Sequence, residues 1–573
     1  MHQVKRVLLI YPFTVIDSYN WYDIEHKAIA LQPPLGLAYI MSHIKKALPH
    51  IEIDIFDAHA MAIKTSLKDK HVDMEKLWSL IKEKVKTFKP DLVGISCLFH
   101  ATAVAAHKTA NIVKNINPDI YVIVGGNYAH TSYDILLKEC STIDFVGFYK
   151  GEHVIENLIN GLNQECALSS IRGIAYRDTE ENIVKNEREM DIKDLDIIPN
   201  VDYSNFDLDF YSKHGHIVTH RFLEWDKSCI AALIASRGCP NRCTFCSARL
   251  FYTGKVRYRN PRRVVEEMKC LHETQGVNAF YFVDDNLFSI RKDFLALARE
   301  IRKNLPDIKW LSPSGMQIST LKDDVIDAIY ESGCNFFLLP FESGCPETLR
   351  KIKKPHTLEM VSDALSRIRR YDDAYVCGNC ITGFPFETKN DIQRSLAYAK
   401  KLDLDWLYIM PYSPLRGSPL YDECIRHGYL QEEPWSIRCT HDLLTLSTPH
   451  FDKDYVAGIN YAVNAEVNFF RNRNIERRPQ QAISDFIYVL RASRDNAMAM
   501  FGLGRAHQQL KDHEQSRKWF LRARDILENE TAGQEKNMEE AGNCTGGFFV
   551  IKEGLKYSQY FDEAGIDIMQ YLP

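Results

Sequence analysis

The feature that most constrains this chain is the segment Cys239-Pro-Asn-Arg-Cys243-Thr-Phe-Cys246, in which three cysteines stand at spacings of four and three residues. The apolar run CIAALIASRG precedes it, and Gly238 interrupts that run. This pattern predicts a loop that leaves the end of a buried strand. Thiolates are soft ligands that suit iron–sulfur clusters or zinc, and both usually take four protein ligands. Three thiolates on one loop therefore leave one metal position open for a small chelating molecule.

Two alternatives to this interpretation remain open. The loop could bind zinc with a distant fourth ligand, or the spacing could arise by chance in a chain with 15 cysteines. Cys377 and Cys380 form a second CxxC, but they lie within the apolar run AYVCGNCITGFP. That run predicts side chains in a barrel wall rather than a second metal site.

Length and charge exclude several classes of protein. At 573 residues the chain is too long for one core and predicts roughly three or four domains. Its net charge of −5 argues against nucleic acid or an anionic membrane as the main partner. No apolar run approaches the roughly 18–20 residues that span a bilayer, and the N-terminal segment lacks the features of a signal peptide. The other cysteines are scattered and show no disulfide-like framework, which fits a reducing compartment. The protein is therefore predicted to be cytoplasmic.

Residues 1–160 alternate strand and helix patterns, and their strands are continuously apolar. Such alternation predicts an α/β domain with a parallel, doubly wound, Rossmann-like sheet. Ligands bind these sheets at the carboxyl ends of the strands. The candidate binding residues at those ends are Tyr11, Pro12, Asp57, Ser96, Gly125, Gly126, Gly151 and Glu152. Neither GxGxxG nor a phosphate-binding loop follows the first strand, which disfavours a nucleotide.

Residues 226–430 carry six further strand–helix repeats, which predict a partial (β/α)6 barrel with its active site at the carboxyl ends of the strands. Polar residues follow several of these strands and would ring one mouth: Asp284, Asp285, Asn286, Gln317, Glu342, Ser343, the segment from Gly383 to Thr388, and Tyr412. Each of them could instead serve as a turn or helix-cap residue.

The two remaining segments carry weaker signals. Residues 161–225 are rich in Asp, Asn, Pro and Tyr and predict a connecting segment with a hairpin strand. Residues 431–573 are predicted to be helical. Within about 480–530, Ala482, Phe486 and Val489 recur 34 residues later, a spacing similar to that of tetratricopeptide repeats. These helices could cap the barrel or dock a protein partner.

The motif CxxxCxxC with an aromatic residue before its last cysteine resembles the radical S-adenosylmethionine (radical SAM) superfamily. The resemblance implies a [4Fe-4S] cluster held by Cys239, Cys243 and Cys246, with SAM on the open iron, and an external flavodoxin- or ferredoxin-type electron donor. It also implies a set of SAM-binding residues: Phe245, Asp284, Asp285, Gln317, Glu342, Ser343, Gly383 and Pro385. The chain departs from the family pattern at Phe386, where GFPGET has glycine.

Residues 1–160 resemble the cobalamin (B12)-binding domain of the cobalamin-dependent radical SAM class, through the segments PPLGLAYI, DAHA, GGNYAHT and VGFYKGEH. The resemblance adds His130 to the cobalamin-binding candidates, although it lies one residue beyond the usual histidine. His153 replaces the second acid of GEGE. Asp57 and His59 match part of the axial-ligand motif, but Ala62 stands where that motif has glycine, so the resemblance favours base-off cobalamin binding without His59 over His59 as a cobalt ligand.

The function that this resemblance implies is methylation of an unactivated carbon or phosphorus centre of a small-molecule substrate. One SAM would methylate cobalamin and a second would supply the radical. An oxidative cyclisation or rearrangement, as in the anaerobic porphyrin ring cyclases of the class, is the alternative with the same cofactors. A scaffold with a vestigial barrel is the alternative that is not an enzyme, and the intact cysteine triplet argues against it.

Overall fold

The computed structural model describes residues 3–13, 31–99, 102–164, 166–189, 191–215, 228–252, 254–430 and 446–533. The N-terminal part alternates strands and helices in this order: β1 (Arg6–Tyr11), α1 (Leu35–Ala47), β2 (Glu52–Asp57), α2 (Ala58–Asp69), α3 (Met74–Phe88), β3 (Leu92–Ser96), α4 (Ala103–Ile116), β4 (Tyr121–Gly125), α5 (Asn127–Thr131), α6 (Tyr133–Glu139), β5 (Phe145–Gly147), α7 (Gly151–Asn163), β6 (Ile174–Arg177) and β7 (Ile183–Lys185).

One seven-stranded sheet contains all of these strands, in the order β2-β1-β3-β4-β5-β6-β7. Strands β1 to β5 are parallel, whereas β6 and β7 join the edge in antiparallel orientation. Successive residues of β1 face opposite sides, since Leu8 and Ile10 pack in one apolar core and Val7 and Leu9 in another. The predicted doubly wound arrangement is therefore confirmed, and the sheet continues beyond residue 160.

A short connecting helix, α8 (Leu208–His214), precedes the second strand–helix series. That series runs β8 (Ile230–Leu233), β9 (Ser236–Arg237), α9 (Ala248–Phe251), β10 (Arg257–Tyr258), α10 (Pro261–Gln275), β11 (Ala279–Phe282), α11 (Arg291–Asn304), β12 (Lys309–Leu311), α12 (Asp323–Glu331), β13 (Phe336–Glu342), α13 (Pro346–Lys351), α14 (Leu358–Ile368), β14 (Tyr375–Thr382), α15 (Lys389–Ala399), β15 (Trp406–Pro411) and α16 (Pro419–Arg426).

Six parallel strands of this series form the wall of a partial barrel. They pair as β12-β11-β8 and as β13-β14-β15. The two groups meet between β12 and β13, where the Met316 amide donates to the Leu338 carbonyl at 2.9 Å. The order along the wall is thus β8-β11-β12-β13-β14-β15, as the predicted (β/α)6 arrangement requires. Strands β9 and β10 form a separate antiparallel flap beside the carboxyl end of β8.

The C-terminal helices pack on the barrel and share its apolar core. They are α17 (Lys453–Ala465), α18 (Asn474–Arg477), α19 (Pro479–Ala492), α20 (Ala497–Gln509) and α21 (His513–Gly533). Phe469, Phe486 and Leu503 belong to the same cluster of buried side chains as Trp406 of β15. This packing favours the barrel-cap interpretation. The predicted tetratricopeptide-like repeat is not confirmed, and residues 534–573 lie outside the described part of the chain.

No helix within the described residues is both long and apolar enough to cross a membrane.

Asp405 joins the C-terminal helices to the barrel, and we expect its removal to be strongly destabilising. Its side chain is fully buried and accepts from the Val376 amide at 2.7 Å and from Arg369 at 2.9 Å. Arg473 and Arg478 contact its other oxygen. Asp405→Ala should cost about 3–5 kcal/mol, because it leaves buried guanidinium groups without a counter-charge. The measurement is the midpoint of thermal unfolding.

Asp403→Ala is the matched control. Asp403 contacts Arg369 and Arg473, but its side chain is 41% exposed. Its loss should therefore cost at most about 1 kcal/mol. Equal losses in the two variants would contradict the role given to the buried network.

Candidate active site

The cysteine loop follows the flap strand β9 at the carboxyl end of β8. Gly238 has a φ of +105°, and a Cβ there would lie 2.4 Å from the Lys255 carbonyl oxygen, so the turn requires glycine. Cys243 is buried, whereas Cys239 and Cys246 are partly exposed. The three sulfurs are close enough to influence one another electrostatically. The predicted placement of the triplet on a loop after a buried strand is thus confirmed.

Backbone hydrogen bonds fix this loop to two distant segments. The Thr244 amide donates to the Ile352 carbonyl at 3.1 Å, and the Leu420 amide donates to the Thr244 carbonyl at 3.1 Å. The Cys246 sulfur accepts from the Ala248 amide at 3.5 Å. The loop is therefore held from the barrel side before any metal binds.

Among the described residues, no three His, Cys, Asp or Glu side chains converge as the ligands of a single ion would. A four-iron cluster binds each thiolate to a different iron, so its sulfurs stand farther apart than ligands of one zinc ion. Cys377 and Cys380 are fully buried in the apolar core of the barrel, as their sequence context predicts.

A polar network reaches the loop from the neighbouring strands. The Asn286 side-chain amide donates to the Gln317 side-chain oxygen at 2.6 Å and lies 3.6 Å from the Cys239 sulfur. Asn241 donates to the same Gln317 oxygen at 3.3 Å. The Asn286 oxygen is buried and has no hydrogen-bond partner within the described part of the chain. A buried acceptor without a donor is costly and indicates a missing ligand with an N–H or O–H group.

The two adjacent aspartates after β11 occupy different environments. Asp284 is buried and accepts from the Ala235 amide at 3.1 Å and the Ser236 hydroxyl at 2.6 Å, which holds the end of β8. Burial raises the pKa of Asp284 to about 7. Asp285 is exposed and accepts from the Gly238 amide at 3.2 Å. Of the two carboxylates, only Asp285 is exposed.

Glu342 and Ser343 also face in different directions. Glu342 is buried, has a φ of +61°, and forms an ion pair of 3.0 Å with Lys354 beside the cysteine loop. Such a backbone conformation costs a non-glycine residue about 1–3 kcal/mol, and it often occurs at functional sites. Ser343 lies instead behind the strand, 2.7 Å from Ser395 of α15. The structure therefore brings Glu342 to the cysteines but not Ser343.

Lys354 was not singled out by its sequence. It lies in the charged run RKIKKP, which resembles a solvated surface segment, and no spacing signal distinguishes it. Burial lowers the pKa of Lys354, but the charges of Glu342 and Cys243 outweigh burial and raise it overall. Burial raises the pKa of the Cys243 thiol to about 11, and the ammonium of Lys354 opposes that effect. Lys354 is thus a fixed positive charge near the cysteine sulfurs.

An aromatic group forms the other wall of the loop. The Phe384 ring centre lies 5.8 Å from that of Phe245 and 5.1 Å from that of Tyr412. Gly383 and Phe384 donate their amides to one oxygen of buried Glu387, at 2.9 and 3.0 Å, which shapes the turn. Gly383, Phe384 and Pro385 are buried, and the Phe384 ring places this segment next to the loop.

The candidates of the N-terminal domain lie at the carboxyl ends of β1 to β5. A Cβ on Gly125 would meet no atom within 4 Å, whereas one on Gly126 would lie 2.5 Å from the Cys97 carbonyl oxygen. Gly125 therefore borders open space at the edge of the sheet. Tyr11, Pro12 and Ser96 end neighbouring strands of the same edge.

Two of the N-terminal candidates are already engaged. Asp57 accepts from the Ala60 amide at 2.9 Å and from the Tyr211 hydroxyl at 2.6 Å, so it caps α2. His130 is buried, accepts from the Tyr149 amide at 3.3 Å, and packs against Phe251 of the barrel. Burial lowers the pKa of His130 to about 4, so its ring is neutral.

The two domains meet at an ion pair between Glu152, at the start of α7, and Arg237, two residues before Cys239. Both side chains are largely buried, at 6% and 15% exposure. Burial would raise the pKa of Glu152, but the charge and hydrogen bond of Arg237 outweigh it and lower the pKa to about 2. Glu152 therefore contacts the barrel, and its predicted part in cobalamin binding stays a prediction.

Comparison with known protein families assigns both domains. Residues 233–399 match the radical SAM superfamily, and residues 30–159 match the B12 binding domain. The chain is a radical SAM enzyme with a B12-binding domain. Its cofactors are accordingly a [4Fe-4S] cluster, SAM and cobalamin.

Curated relatives cover most of this radical SAM enzyme. It is 29% identical over 456 residues to the uncharacterized methyltransferase PH0819 of Pyrococcus horikoshii. The alignment covers 79% of this chain and 90% of that relative. It is 26% identical over 505 residues to the cytidylyl-2-hydroxyethylphosphonate methyltransferase of Streptomyces wedmorensis. That alignment covers 82% of this chain and 91% of the relative. It is also 26% identical over 429 residues to the anaerobic magnesium-protoporphyrin IX monomethyl ester cyclase of Rubrivivax gelatinosus. Here the alignment covers 73% of this chain and 70% of the relative.

A solved structure shares the fold over nearly the whole chain. The cobalamin-dependent S-adenosylmethionine radical enzyme OxsB, solved with aqua-cobalamin bound, matches 98% of this chain and 84% of its own with a TM-score of 0.62. The sequence identity is 14%, so this likeness concerns the fold alone.

The residues present fit the three cofactors. Three thiols on one anchored loop suit a cluster with one open iron, and Lys354 provides positive charge beside them. The unpartnered Asn286 oxygen suits a donor such as the SAM ammonium group. The open space over Gly125 allows a broad, flat ring to approach the edge of the sheet.

We expect Glu152→Gln to loosen the domain contact. The amide cannot neutralise buried Arg237, which should cost about 3–5 kcal/mol. Hydrogen–deuterium exchange of the β9 and β10 amides should therefore accelerate. Glu156→Gln, one turn along α7, is the control, because Glu156 pairs with His43 inside the N-terminal domain. Equal exchange in Glu152→Gln and the native protein would contradict the assigned role.

The ion pair also predicts a direction of pH dependence. Because the pKa of Glu152 is lowered from 4.5 to about 2, its contribution to stability is present above pH 4.5 and is lost as pH falls toward 2. The exchange difference between the native protein and Glu152→Gln should shrink over that range.

Proposed function

We propose that this enzyme is a cobalamin-dependent radical SAM methyltransferase that acts on an unactivated carbon or phosphorus centre of a small molecule. The observation that carries the proposal is the Glu152–Arg237 pair, which joins the ligand-binding edge of the B12-binding domain to the cysteine loop. Two of the relatives named above are methyltransferases that each align over more than three quarters of the chain.

We assign the cluster to Cys239, Cys243 and Cys246. When bound, the cluster and SAM supply a radical that abstracts hydrogen, and cobalamin supplies a methyl group. Around them, the chain binds and orients the reactants. Asn286 and Asp285 would accept from the SAM ammonium group, and Glu342 from its hydroxyl groups. Phe245 and the segment from Gly383 to Pro385 would enclose its adenine ring.

For cobalamin we assign the edge formed by Tyr11, Pro12, Ser96, Gly125, Gly126 and Gly151. The buried aromatic rings at the seam, among them Phe148 and Phe251, would exclude water from the space between the two cofactors. An external flavodoxin- or ferredoxin-type protein would deliver electrons, and the oxygen sensitivity of the cluster favours a cytoplasmic location.

The cluster assignment predicts that Cys243→Ala loses nearly all of its iron after anaerobic reconstitution, because two thiolates do not hold a four-iron cluster. Iron and sulfide analysis per chain is the measurement. Cys270→Ala is the matched control, since Cys270 is exposed on α10 and should leave four iron atoms bound. Retention of the cluster in Cys243→Ala, or tight binding of zinc alone by the native loop, would contradict the assignment.

Methyl transfer predicts the products formed from SAM. Reconstituted enzyme is incubated anaerobically with cobalamin, a reductant, methyl-deuterated SAM and a metabolite extract of the source cells. Mass spectrometry should find a product that carries the labelled methyl group, with S-adenosylhomocysteine and 5′-deoxyadenosine in about equal amounts.

The similarity to a cyclase supports an oxidative cyclisation as the second candidate reaction. A product formed with 5′-deoxyadenosine but without S-adenosylhomocysteine would favour that reaction over methyl transfer. Failure of the native protein to bind cobalamin would remove both candidates.

A further inference from the structure

Lys150 is a buried ammonium group at the domain seam. The residue is 8% exposed, and its Nζ lies 3.9 Å from the centre of the Tyr252 ring, which belongs to the barrel. Within the described ranges, no carboxylate lies within ion-pairing distance of this nitrogen. Burial, followed by the charge of Arg237, lowers the pKa of Lys150 to about 8, so it still carries a positive charge near pH 7.

The nearest carboxylates are committed to other groups. Glu152 pairs with Arg237, and Asp285 accepts from the Gly238 amide. Asp191 lies 3.7 Å from Arg257 and 3.6 Å from Arg188. An unpaired charge in a buried position is unfavourable, and an anionic ligand would relieve that cost.

A charged cleft lies beside Lys150. It has a volume of about 430 Å³, and its lining residues are Arg172, Glu187, Arg188, Asp191, Lys193 and Arg257. Four cations and two anions give this lining a net charge of +2, whereas the whole chain carries −5. A local excess of positive charge on an acidic protein attracts anions to one place.

Three observations place the cleft near Lys150, which is not itself one of the lining residues. The Arg188 guanidinium lies 5.2 Å from the ring centre of Tyr149, the residue that precedes Lys150. Asp191, in the cleft, influences Lys150 electrostatically. Arg257 is the ladder partner of Arg237 in the flap. The cleft and the buried ammonium group therefore lie close together at the seam, where Arg188 and Arg257 share the single carboxylate of Asp191 and this surface keeps an excess of positive charge.

We infer that this surface, composed of Lys150, Arg188 and Arg257, binds a carboxylate or phosphate group of the substrate. Guanidinium groups bind such anions through paired hydrogen bonds, and the lysine adds a point charge. The inference rests on the proposed function in one respect, because it takes the ligand to be the substrate of that reaction. It restricts the substrate to an anion that enters from the flap side of the seam.

The test uses the full-length protein and radiolabelled inorganic phosphate in equilibrium dialysis. Native protein should bind phosphate at one site, and Lys150→Met should weaken binding at least about tenfold. Lys150→Arg should keep most of the affinity, because it keeps the charge. Lys108→Met is the matched control, since Lys108 also lies over an aromatic ring, Trp78 at 4.3 Å, but on an exposed face of α4.

Cofactor-loaded protein separates the sources of the anion. If phosphate binds equally well after SAM and cobalamin are added, neither cofactor occupies the site, as the substrate assignment requires. If SAM or cobalamin displaces phosphate competitively, the anion is the SAM carboxylate or the cobalamin phosphate, and the substrate assignment is overturned. Absence of phosphate binding by the native protein, or unchanged binding by Lys150→Met, also overturns it.

The phosphate measurement does not depend on turnover. Normal phosphate binding together with no labelled methyl product would disprove the proposed function and leave the anion site intact. The iron content of Lys150→Met should match the native value, and its midpoint of thermal unfolding should equal or exceed the native one because a buried charge is removed. Weaker binding then reports on the site rather than on folding.

Discussion

The ion pair between Glu152 and Arg237 is the interaction on which the arrangement of this protein depends. Helix α1 of the N-terminal domain contributes Ala38 and Tyr39 to the apolar core of the barrel, so the two domains share buried apolar surface, and the ion pair adds a charged contact beside the cysteine loop. The pair joins the first turn of α7 to the second residue before Cys239. Chemistry shared between a cluster and a second cofactor tolerates little displacement, because reacting atoms must approach within about 3–3.5 Å. A buried, charge-assisted contact beside the cysteines meets that requirement better than a flexible linker would.

Buried carboxylates perform three different tasks in this structure, and their surroundings decide which. Asp284 is bound by backbone and hydroxyl donors without a cation, and burial raises its pKa to about 7. Glu152 lies against a guanidinium, and its pKa falls to about 2. Glu342 pairs with Lys354 beside the cysteines while its backbone remains in a strained conformation. The first holds a strand end, the second joins the two domains, and the third lies beside the cysteine loop. Neighbouring charge, more than residue type, therefore decides how each acid behaves.

The sequence predicted the elements well because their patterns are local. Continuous apolar runs marked the parallel strands, and the order β8 to β15 along the barrel wall follows from right-handed strand–helix repeats. The site was predicted less evenly. Asn286 lies beside Cys239 and Glu342 pairs with Lys354 near the cysteine loop, whereas Ser343 turns behind its strand and Asp57 caps a helix. Adjacent residues on a strand face opposite sides, and a turn after the strand decides which of them reaches the mouth. A motif of neighbouring polar residues does not contain that information.

The sequence by itself determined the chemistry of this protein, because three cysteines on one loop and glycines at strand ends specify ligands by residue type and short spacing. It also determined two α/β units, since hydrophobic periodicity acts over a few residues. Only the tertiary structure decided how those units meet. Lys354 lies in a run that resembles surface, Glu152 resembles a ligand-binding residue of its own domain, and Arg237 resembles the end of a strand. Their partners are up to 85 residues away. Electrostatic pairing between buried groups depends on distance in space and on the exclusion of water, and both exist only once the chain has folded.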